Sequence, residues 1–471
     1  MRKTKIVCTL GPASDSSEIM EQLLKAGLNV ARLNFSHGTH ESHGATIDRF
    51  RAVRDAMGLS AAVLLDTKGP EIRLGDFAEP VTVEPGQEYT FTVQQVPGTA
   101  GRCSVTYAGL PGDVKPGDTL LVDDGALSFK VESVEGDEIR CTAVDGGVLK
   151  SKKGMNVPGV KLEMPFLSER DKSDLLFGIE KDVDYVAASF TRRAADMQEM
   201  RDFLDANGGE KIRIIAKIEN EEGVKNFPEI LKIADGLMVA RGDMGVEIPF
   251  ELLPGIQKRM IRCCCAEGKV VITATQMLNS MEENRRPTRA EISDVANAVF
   301  DGSSAVMLSG ETASGQYPVE AVEVMARIAE QAESDMPGGR AAVSFPEGDP
   351  RDNTNAVSAA ACTLAEQIGA AAILVETSTG RAARRVSKFR PECPVIAATV
   401  SEKVFHQLSL CRGVVPLKTR SFDSVDVLFH CTIEDSVEKG LLKGGDTVVL
   451  TAGIPLGTSG STNMLKVQTV D

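Results

Sequence analysis

Eight short runs of apolar and β-branched residues alternate with amphipathic helical segments along most of the chain. Alternation of this kind is typical of parallel strands joined by helical crossovers. Eight units are the number that closes a barrel, so the pattern predicts a closed (β/α)8 barrel. The predicted strands are Thr4–Leu10, Asn29–Phe35, Ala62–Thr67, Tyr185–Phe190, Arg213–Ile218, Gly236–Ala240, Val270–Thr275 and Ala305–Leu308. Helical periodicity covers Ser17–Ala26, His40–Met57, Ala194–Asn207, Glu221–Ile233, Pro249–Glu267, Thr288–Phe300 and Pro318–Glu333.

One long segment, 74–165, interrupts this alternation between the third strand and a helix that begins near Ser168. Its frequent Gly and Pro residues and its alternating stretches, such as Tyr89–Val93, predict an inserted β domain. The βα loops of a barrel emerge at the carboxyl end of the strands, where barrel active sites lie. The insert is therefore placed to close over a ligand as a lid.

A polar stretch after Ser334 predicts a linker to a third, smaller domain in which helices and strands alternate again. The fold class is therefore predicted to be α/β: a (β/α)8 TIM barrel with an inserted β-barrel lid domain and a C-terminal open α/β domain. The predicted domains are 1–73 with 166–337, 74–165, and 338–471. The C-terminal elements are predicted at Val357–Ile368, Ala372–Glu376, Arg381–Phe389, Val395–Thr399 and Asp446–Ala452.

Composition restricts the environment and the partners of the chain. No apolar run reaches the roughly 18 to 20 residues that a bilayer span needs, and the N-terminus lacks the longer apolar region of a signal peptide. We therefore expect a cytoplasmic protein without a membrane partner. The formal net charge of -15 offers no basic field for a nucleic acid. Anionic substrates would need locally placed cations.

Polar residues follow the second and third strands at their carboxyl ends. The period of two along a strand puts Arg32, Asn34 and Ser36 on one face of the second strand. The third strand runs into a cluster of opposite charges between Asp66 and Arg73. The pattern favours a functional site at this end of the barrel, and a structural salt-bridge network is the alternative.

The next polar strand ends carry carboxylates and hydroxyls. Lys217 and Glu219 share a face of the fifth strand, and Asp243 follows the sixth strand in a glycine-containing loop. Two carboxylates with few other ligands suit a partly hydrated Mg²⁺, although a plain ion pair between Lys217 and Glu219 is the simpler reading. Thr273 and Thr275 end the seventh strand.

Together these groups fit a small phosphorylated or carboxylated anion bound with a divalent metal. The sequence contains no G-x-S-x-G, H-E-x-x-H, Walker A or G-x-G-x-x-G signature, so nucleophilic, P-loop and dinucleotide chemistry lose their strongest support. His37, His40 and His43 could suggest a metal site, but their position after the second strand favours an exposed helix start.

The strand-end blocks resemble those of the pyruvate kinase family, in the same order and over nearly the whole chain. The resemblance implies phosphoryl transfer between phosphoenolpyruvate and ADP, giving pyruvate and ATP, with Mg²⁺, or Mn²⁺ in its place, as divalent cofactor. The matching blocks are Lys3–Ser14, Asn29–Gly38, Leu65–Arg73, Ile214–Gly223, Val239–Glu247, Thr273–Ser280 and Met307–Thr312.

The resemblance also implies a role for each matching residue. Lys217 would neutralise charge on the phosphoryl group and the enolate oxygen, while Glu219 and Asp243 would hold Mg²⁺. Thr275 would contact the substrate carboxylate near the site of enolate protonation. Catalytic roles are thus implied for Lys217, Thr275 and Arg73, substrate contacts for Arg32, Lys217, Ala240, Arg241, Gly242, Asp243 and Thr275, and nucleotide contacts for Asn34, His37, Arg73 and Lys153.

A monovalent cation site is a further implication of the resemblance. Its ligands would be Asn34, Ser36, Asp66 and Thr67, all of which offer oxygen atoms. In the family, Glu at the position of Glu71 accompanies K⁺ dependence, whereas Lys there accompanies independence. We therefore expect K⁺ activation.

The C-terminal segment of Thr377, Ser378, Thr379, Gly380 and Arg381 carries hydroxyls at a predicted helix N-terminus, which suits a phosphate; a plain helix cap is the alternative. In the family this loop belongs to the allosteric site, which implies a sugar-phosphate or nucleotide effector. Ser378 and Ala382 stand where members that respond to fructose 1,6-bisphosphate carry Lys and Ser, so the effector stays open. The family also implies a homotetramer.

Two other functions compete with the kinase interpretation. A metal-dependent barrel lyase or aldolase could stabilise an enolate with Lys217, Glu219 and Asp243 alone. Such an enzyme has no need for a nucleotide-closing lid, whereas ADP explains Lys153 and His37. A metabolite sensor without catalysis is the second competitor, and the intact set of Lys217, Glu219, Asp243 and Thr275 speaks against it.

Overall fold

The predicted barrel is confirmed in the computed structural model, which describes residues 1–336, 353–422, 424–456 and 462–471. Eight parallel strands pair in chain order, and the eighth pairs with the first through Lys5 opposite Ala305, so the sheet is closed. The strands are Lys5–Thr9, Val30–Asn34, Ala62–Asp66, Tyr185–Ala188, Arg213–Ile218, Gly236–Ala240, Val270–Ala274 and Ala305–Leu308.

Barrel strands are apolar along their whole length because both of their faces are covered. Ile6 and Cys8 pack outward into the layer between strands and helices, whereas Val7 points into the barrel interior. This interior cluster continues past the base of the barrel into side chains of the C-terminal domain such as Leu408 and Val414. The barrel and the C-terminal domain therefore share one apolar core.

Helix starts follow the capping signals in the sequence. Ser168 and Thr288 each close a capping box with the residue three positions later.

The predicted helix over Pro249–Glu267 is shorter than expected: a 3-10 turn, Phe250–Leu252, precedes a helix that starts at Leu253. Pro254 fits this start, because proline is well tolerated in the first turn of a helix. The barrel helices are Ser17–Ala26, His40–Ala56, Glu169–Glu180, Ala194–Ala206, Glu221–Ile233, Leu253–Glu267, Arg289–Asp301 and Pro318–Asp335, with short helices at Arg241–Glu247 and Gly310–Ala313 and a 3-10 turn at Asn279–Glu282.

The insert forms a curled antiparallel-rich sheet of seven strands beside a two-stranded ribbon. Its two edges meet at a bridge between Leu74 and Val105, which gives the predicted barrel-like closure. Aromatic rings of Tyr89, Phe91 and Phe129 pack together in its own core. The strands are Ile72–Arg73, Val81–Val83, Glu88–Thr92, Arg102–Ser104, Thr119–Val122, Leu127–Glu135, Glu138–Asp145, Gly147–Leu149 and Gly154–Asn156, with a short helix at Leu110–Asp113.

The C-terminal domain is an open five-stranded sheet with four parallel strands and one antiparallel edge strand. Sequence patterning missed its strands Val414–Lys418 and Thr462–Thr469 and its helices Glu402–Gln407 and Val425–Glu438. The polar edge strand lacks a continuous apolar run, since it is covered on one side only. The other elements are the strands Ala372–Glu376, Val395–Thr399 and Thr447–Gly453, the helices Asn353–Gln367 and Arg381–Lys388, and a 3-10 turn at Leu408–Leu410.

Most of the predicted linker lies outside the described residues, and so does the predicted domain limit at residues 337 and 338. The division into 1–73 with 166–337, 74–165, and 338–471 therefore stays a prediction. In the part of the chain that the structure describes, no helix combines the length and the apolar character that a membrane crossing requires.

Asp184 is a buried carboxylate at the base of the barrel, where the C-terminal domain docks. Its Oδ2 accepts a hydrogen bond from Val63 N at 2.8 Å, and Lys403 Nζ lies 3.9 Å from its Oδ1. Burial raises the pKa of Asp184 to about 6, although Lys403 opposes the shift. A raised pKa means that the folded state holds the proton more tightly than the unfolded state.

This shift predicts a pH-dependent stability. The stabilisation from protonated Asp184 is complete below the unfolded pKa near 4 and is lost as pH rises through about 6. Relative to Asp184→Asn, the native chain should lose up to about 3 kcal/mol of unfolding free energy across this range. Chemical unfolding at pH 4 to 7 measures the difference. Asp182→Asn, which removes an exposed partner of Lys403 at 2.7 Å, is the control and should follow the native chain; a D184N curve parallel to the native one would contradict the assignment.

Candidate active site

A buried carboxylate, Asp66, lies at the carboxyl end of the third barrel strand and joins its neighbours. Arg32 Nε from the second strand lies 2.6 Å from its Oδ2, and Lys217 Nζ from the fifth strand lies 3.1 Å from its Oδ1. Arg32 also donates to Thr9 Oγ1 at 2.8 Å. Burial alone would raise the pKa of Asp66, but Lys217 and Arg32 hold it below its usual value. The group therefore stays ionised.

Lys217 is the centre of this network. Its Nζ donates to Ser189 Oγ at 2.7 Å and lies 2.9 Å from Glu219 Oε1. Burial alone would lower the pKa of Lys217, but the Asp66 and Glu219 carboxylates raise it above the ordinary lysine value. A fixed positive charge thus stands at the barrel mouth, as the strand-end pattern predicted.

Glu219 is a second buried carboxylate in the same network. Its Oε2 accepts a hydrogen bond from Phe190 N, and Asp243 lies close enough to act on it electrostatically. Burial raises the pKa of Glu219, with Lys217 opposing and Asp243 adding to the shift. Asp243 sits in the first turn of the short helix Arg241–Glu247 and is half-buried.

These two carboxylates fit a divalent cation. Among the described residues, no group of three or more His, Cys, Asp or Glu side chains could hold a metal. Glu219 and Asp243 could instead serve as two carboxylate ligands of a hard cation that completes its shell with water or substrate oxygens. The mutual repulsion of two carboxylates near the barrel interior is the cost that such a cation would offset.

Thr275 connects the ends of the sixth and seventh strands through a hydrogen bond. Its Oγ1 accepts a hydrogen bond from Gly242 N at 2.7 Å. Thr275 and Gln276 adopt φ angles of 68° and 54°, a left-handed conformation that is costly for residues with a branched or long side chain. The side chain of Arg241 turns away, with Nη1 2.7 Å from Asp294 Oδ1. Ala240, Arg241 and Gly242 can thus offer backbone groups only.

The four residues of the predicted monovalent cation site lie at the carboxyl ends of the second and third strands and directly after them. Asn34 and Asp66 occupy paired positions of neighbouring strands, and Asn34 Oδ1 accepts from Ser36 N at 3.1 Å. Thr67 Oγ1 donates to Ala187 O at 3.2 Å. Glu71 points elsewhere: its Oε2 lies 2.7 Å from Arg73 Nε.

A cleft of about 430 Å³ separates the lid from the barrel mouth. Arg73 and Lys153 line it together with Asp243, and Lys153 Nζ lies 2.7 Å from Asp123 Oδ1 of the lid. Volumes of this order are typical of sites for small organic ligands. His37 is exposed, and its N–H donates to Asn34 O at 3.2 Å. Neither of these two predicted nucleotide residues is among the described residues that line the cleft with Arg73 and Lys153.

Ser189 is a member of the network that the sequence analysis missed. It is buried just after the fourth strand, and its Oγ lies 2.7 Å from Lys217 Nζ and donates to Thr67 O at 2.6 Å. A signal was available, because a polar residue directly after a buried apolar strand is the same pattern that identified Asp66.

The predicted phosphate loop joins the first C-terminal strand to the helix Arg381–Lys388. Thr377 is buried and donates its N–H to Ala398 O at 2.9 Å, whereas Ser378 is exposed. Gly380 has a φ angle of 76°, which glycine adopts without strain. Thr379 O accepts from Arg213 Nη2 at 3.1 Å, so the loop touches the start of the strand that carries Lys217.

Comparisons with known proteins agree with this geometry. A family model described as pyruvate kinase, barrel domain, matches residues 1–322, and one described as pyruvate kinase, alpha/beta domain, matches 355–468. A pyruvate kinase of Clostridium acetobutylicum is 48% identical over 100% of both chains, and one of Geobacillus stearothermophilus is 49% identical over 100% of this chain and 80% of its own. The crystal structure of a pyruvate kinase from Cryptosporidium parvum, 38% identical, superposes with a TM-score of 0.94 over 100% of this chain and 96% of that one.

Proposed function

The chain belongs to the pyruvate kinase family, a family of phosphotransferases, and we propose that it transfers phosphoryl from phosphoenolpyruvate to ADP, giving pyruvate and ATP. The observation that carries the proposal is the position of Lys217, within 3.1 Å of both Asp66 and Glu219 at the barrel mouth. The lid cleft above it brings two further cations, Arg73 and Lys153.

Lys217 and Arg32 stabilise the phosphoryl group in this mechanism. Both cations are already oriented by Asp66, so little reorganisation accompanies the reaction. The raised pKa of Lys217 keeps it protonated at neutral pH. It therefore acts as a fixed charge beside the departing phosphoryl group and the enolate oxygen, and it does not supply the proton.

Glu219 and Asp243 would hold Mg²⁺ or Mn²⁺. When bound, such an ion neutralises phosphoryl and carboxylate oxygens and orients them for in-line transfer. The backbone groups of Ala240, Arg241 and Gly242 position the substrate. The Thr275 hydroxyl, fixed by Gly242 N, contacts the substrate carboxylate beside the carbon that takes up a proton.

The remaining assignments concern the nucleotide and the monovalent cation. Arg73 and Lys153 in the lid cleft would bind ADP phosphates, with Asn34 and His37 at the side of the second strand. Asn34, Ser36, Asp66 and Thr67 would hold K⁺, whose charge adds to that of Arg32 near the transferred group.

Regulation is proposed to act through the loop formed by residues 377–381, with a sugar phosphate or a nucleotide as effector. The contact between Thr379 O and Arg213 supports a link to the fifth strand. We also propose a cytoplasmic homotetramer, for which sedimentation provides the direct test: a monomer at working concentration would contradict it.

Replacement of Lys217 tests the catalytic assignment. Lys217→Met should lower kcat for pyruvate formation by at least about 10²-fold, because one preorganised charge is lost. Asp66 keeps Arg32 as its partner in this variant, so thermal unfolding should still show a folded protein. Lys232→Met removes an exposed lysine of the following helix and should leave kcat unchanged. A folded K217M variant with native turnover would overturn the mechanism.

Replacement of Glu71 tests the monovalent cation site. Glu71→Lys should give turnover that is indifferent to K⁺, since a lysine ammonium can stand in for the ion, whereas the native chain should be stimulated by K⁺. Rates with K⁺ or with tetramethylammonium at equal ionic strength separate the two cases. Glu71→Gln removes the same negative charge without adding an ammonium and should stay K⁺-dependent. Equal K⁺ stimulation of E71K and the native chain would refute the assignment.

The effector loop has its own test. In the variant Ser378→Ala/Thr379→Ala, the response of phosphoenolpyruvate half-saturation to fructose 1,6-bisphosphate or AMP should disappear. A coupling of about 5- to 150-fold is the usual range for such effects. The kcat at saturating substrate should not change, because both residues lie outside the barrel mouth. An undiminished response in the double variant would place the effector elsewhere.

A further inference from the structure

A small cavity lies at the opposite end of the barrel from the candidate active site. It has a volume of about 30 Å³ and lies between the amino ends of the seventh and eighth barrel strands and the C-terminal helix Arg381–Lys388. Residues of both domains line it. Five of the lining residues are basic: Lys269, Arg384, Lys388, Arg390 and Arg412.

The charge around this cavity is one-sided. None of its described lining residues is acidic, although the chain as a whole has a net charge of -15. Burial and the neighbouring Arg390 lower the pKa of Arg412 to about 10, and burial together with Arg213 lowers that of Arg384 below its usual value. Like charges gathered in a low-dielectric interior destabilise one another unless an anion lies between them.

Two of the five cations, Arg412 and Arg384, have side-chain N–H groups left to donate to a ligand, whereas Lys269 and Arg390 do not need one. Lys269 Nζ already donates to the carbonyls of Leu231, Lys232 and Ala234, and Arg390 donates to Gly302 O at 2.6 Å. Arg412 differs from them, because its buried Nε has no hydrogen-bond partner in the described part of the chain.

The side chain of Arg384 also makes few hydrogen bonds. Its side-chain hydrogen bond to Thr379 O is long, at 3.5 Å. A buried donor without a partner costs about 1–3 kcal/mol, and more when it is charged. The paired N–H groups of a guanidinium match the spacing of two oxygen atoms of an oxyanion, so arginines with unsatisfied donors favour such a ligand.

We propose that this cavity binds one tetrahedral oxyanion of the phosphate class, held by Arg384 and Arg412. The size of the cavity supports a small ligand, since 30 Å³ corresponds to about two or three waters. The site is distinct from the loop at 377–381, because its lining comes from the inner face of the helix and from the barrel base.

The bound anion would join two domains. Lys269 belongs to the barrel, whereas Arg384 and Arg412 belong to the C-terminal domain, and Ser387 Oγ ties the latter two segments by donating to Arg412 O at 2.6 Å. Phosphate at this place therefore stabilises the docking of the C-terminal domain on the barrel. The proposal does not depend on the catalytic assignment.

Thermal unfolding of the full chain tests the proposal. Inorganic phosphate several-fold above its dissociation constant, compared with chloride at equal ionic strength, should raise the Tm of the native chain by about 2 °C or more. Arg412→Met and Arg384→Met should each lose this increase. In chloride, R412M should unfold at or above the native Tm, because a buried charge that repels Arg390 and whose Nε lacks a hydrogen-bond partner among the described residues is gone. Both variants are measured so that the proposal is still tested if one of them fails to fold.

Two controls decide where phosphate binds. Lys130→Met removes an exposed cation of the lid and should keep the full increase. Ser378→Ala should keep it as well. An increase that is lost in S378A or in Lys217→Met but kept in R412M and R384M would assign phosphate to the effector loop or the barrel mouth and overturn the proposal. So would a native chain that responds equally to phosphate and chloride.

Discussion

The buried ion pairs of Asp66 hold the mouth of the barrel in one arrangement. A fully buried carboxylate is stable only with close partners, and here two cations from neighbouring strands reach it within 3.1 Å. Removing both cations would leave the charge of Asp66 uncompensated, and breaking a buried pair in this way costs about 3–5 kcal/mol. The same contacts that keep the second, third and fifth strands in register therefore also aim Arg32 and Lys217 at the site.

Backbone strain at the barrel mouth follows from this arrangement. Phe190, Thr275 and Gln276 have φ angles of 55°, 68° and 54°, and conformations of this kind cost about 1–3 kcal/mol each. Each strained segment is fixed by the site itself: Phe190 N donates to Glu219, and Thr275 Oγ1 accepts from Gly242 N. The strain thus orients backbone and hydroxyl groups toward the place where substrate charge develops.

Periodicity was sufficient to predict the barrel, because buried parallel strands are apolar throughout and their helices carry clear caps. Lys217, Glu219 and Asp66 were also predictable, since charged residues directly after such strands are rare outside functional sites. The antiparallel edge strand Thr462–Thr469 was not predictable, because only one of its eight residues is buried and its longest apolar run is two residues. Ser189 could have been selected by its position directly after a buried strand, but its contact with Lys217 of another strand depends on the three-dimensional structure. The position of Glu71 against Arg73, apart from the predicted cation ligands, likewise depends on side-chain direction.

The two ends of the barrel have opposite charge imbalances, and the fifth strand runs from one end to the other. At the mouth, carboxylates outnumber the cations, which favours the binding of a metal ion. At the base, cations surround a cavity whose described lining has no carboxylate. Arg213 and Lys217 stand on the fifth strand about 13 Å apart, and Arg213 Nη1 is fixed by Asp235 Oδ1 at 2.6 Å. A rigid strand alone transmits no preference between states; a ligand at the base affects the mouth only if it binds two arrangements of the domains unequally. The docking contact between the C-terminal domain and the barrel combines a continuous apolar cluster with the charged side chains around the cavity. A ligand at the base can therefore act on the mouth only through a second arrangement that also repacks this apolar cluster.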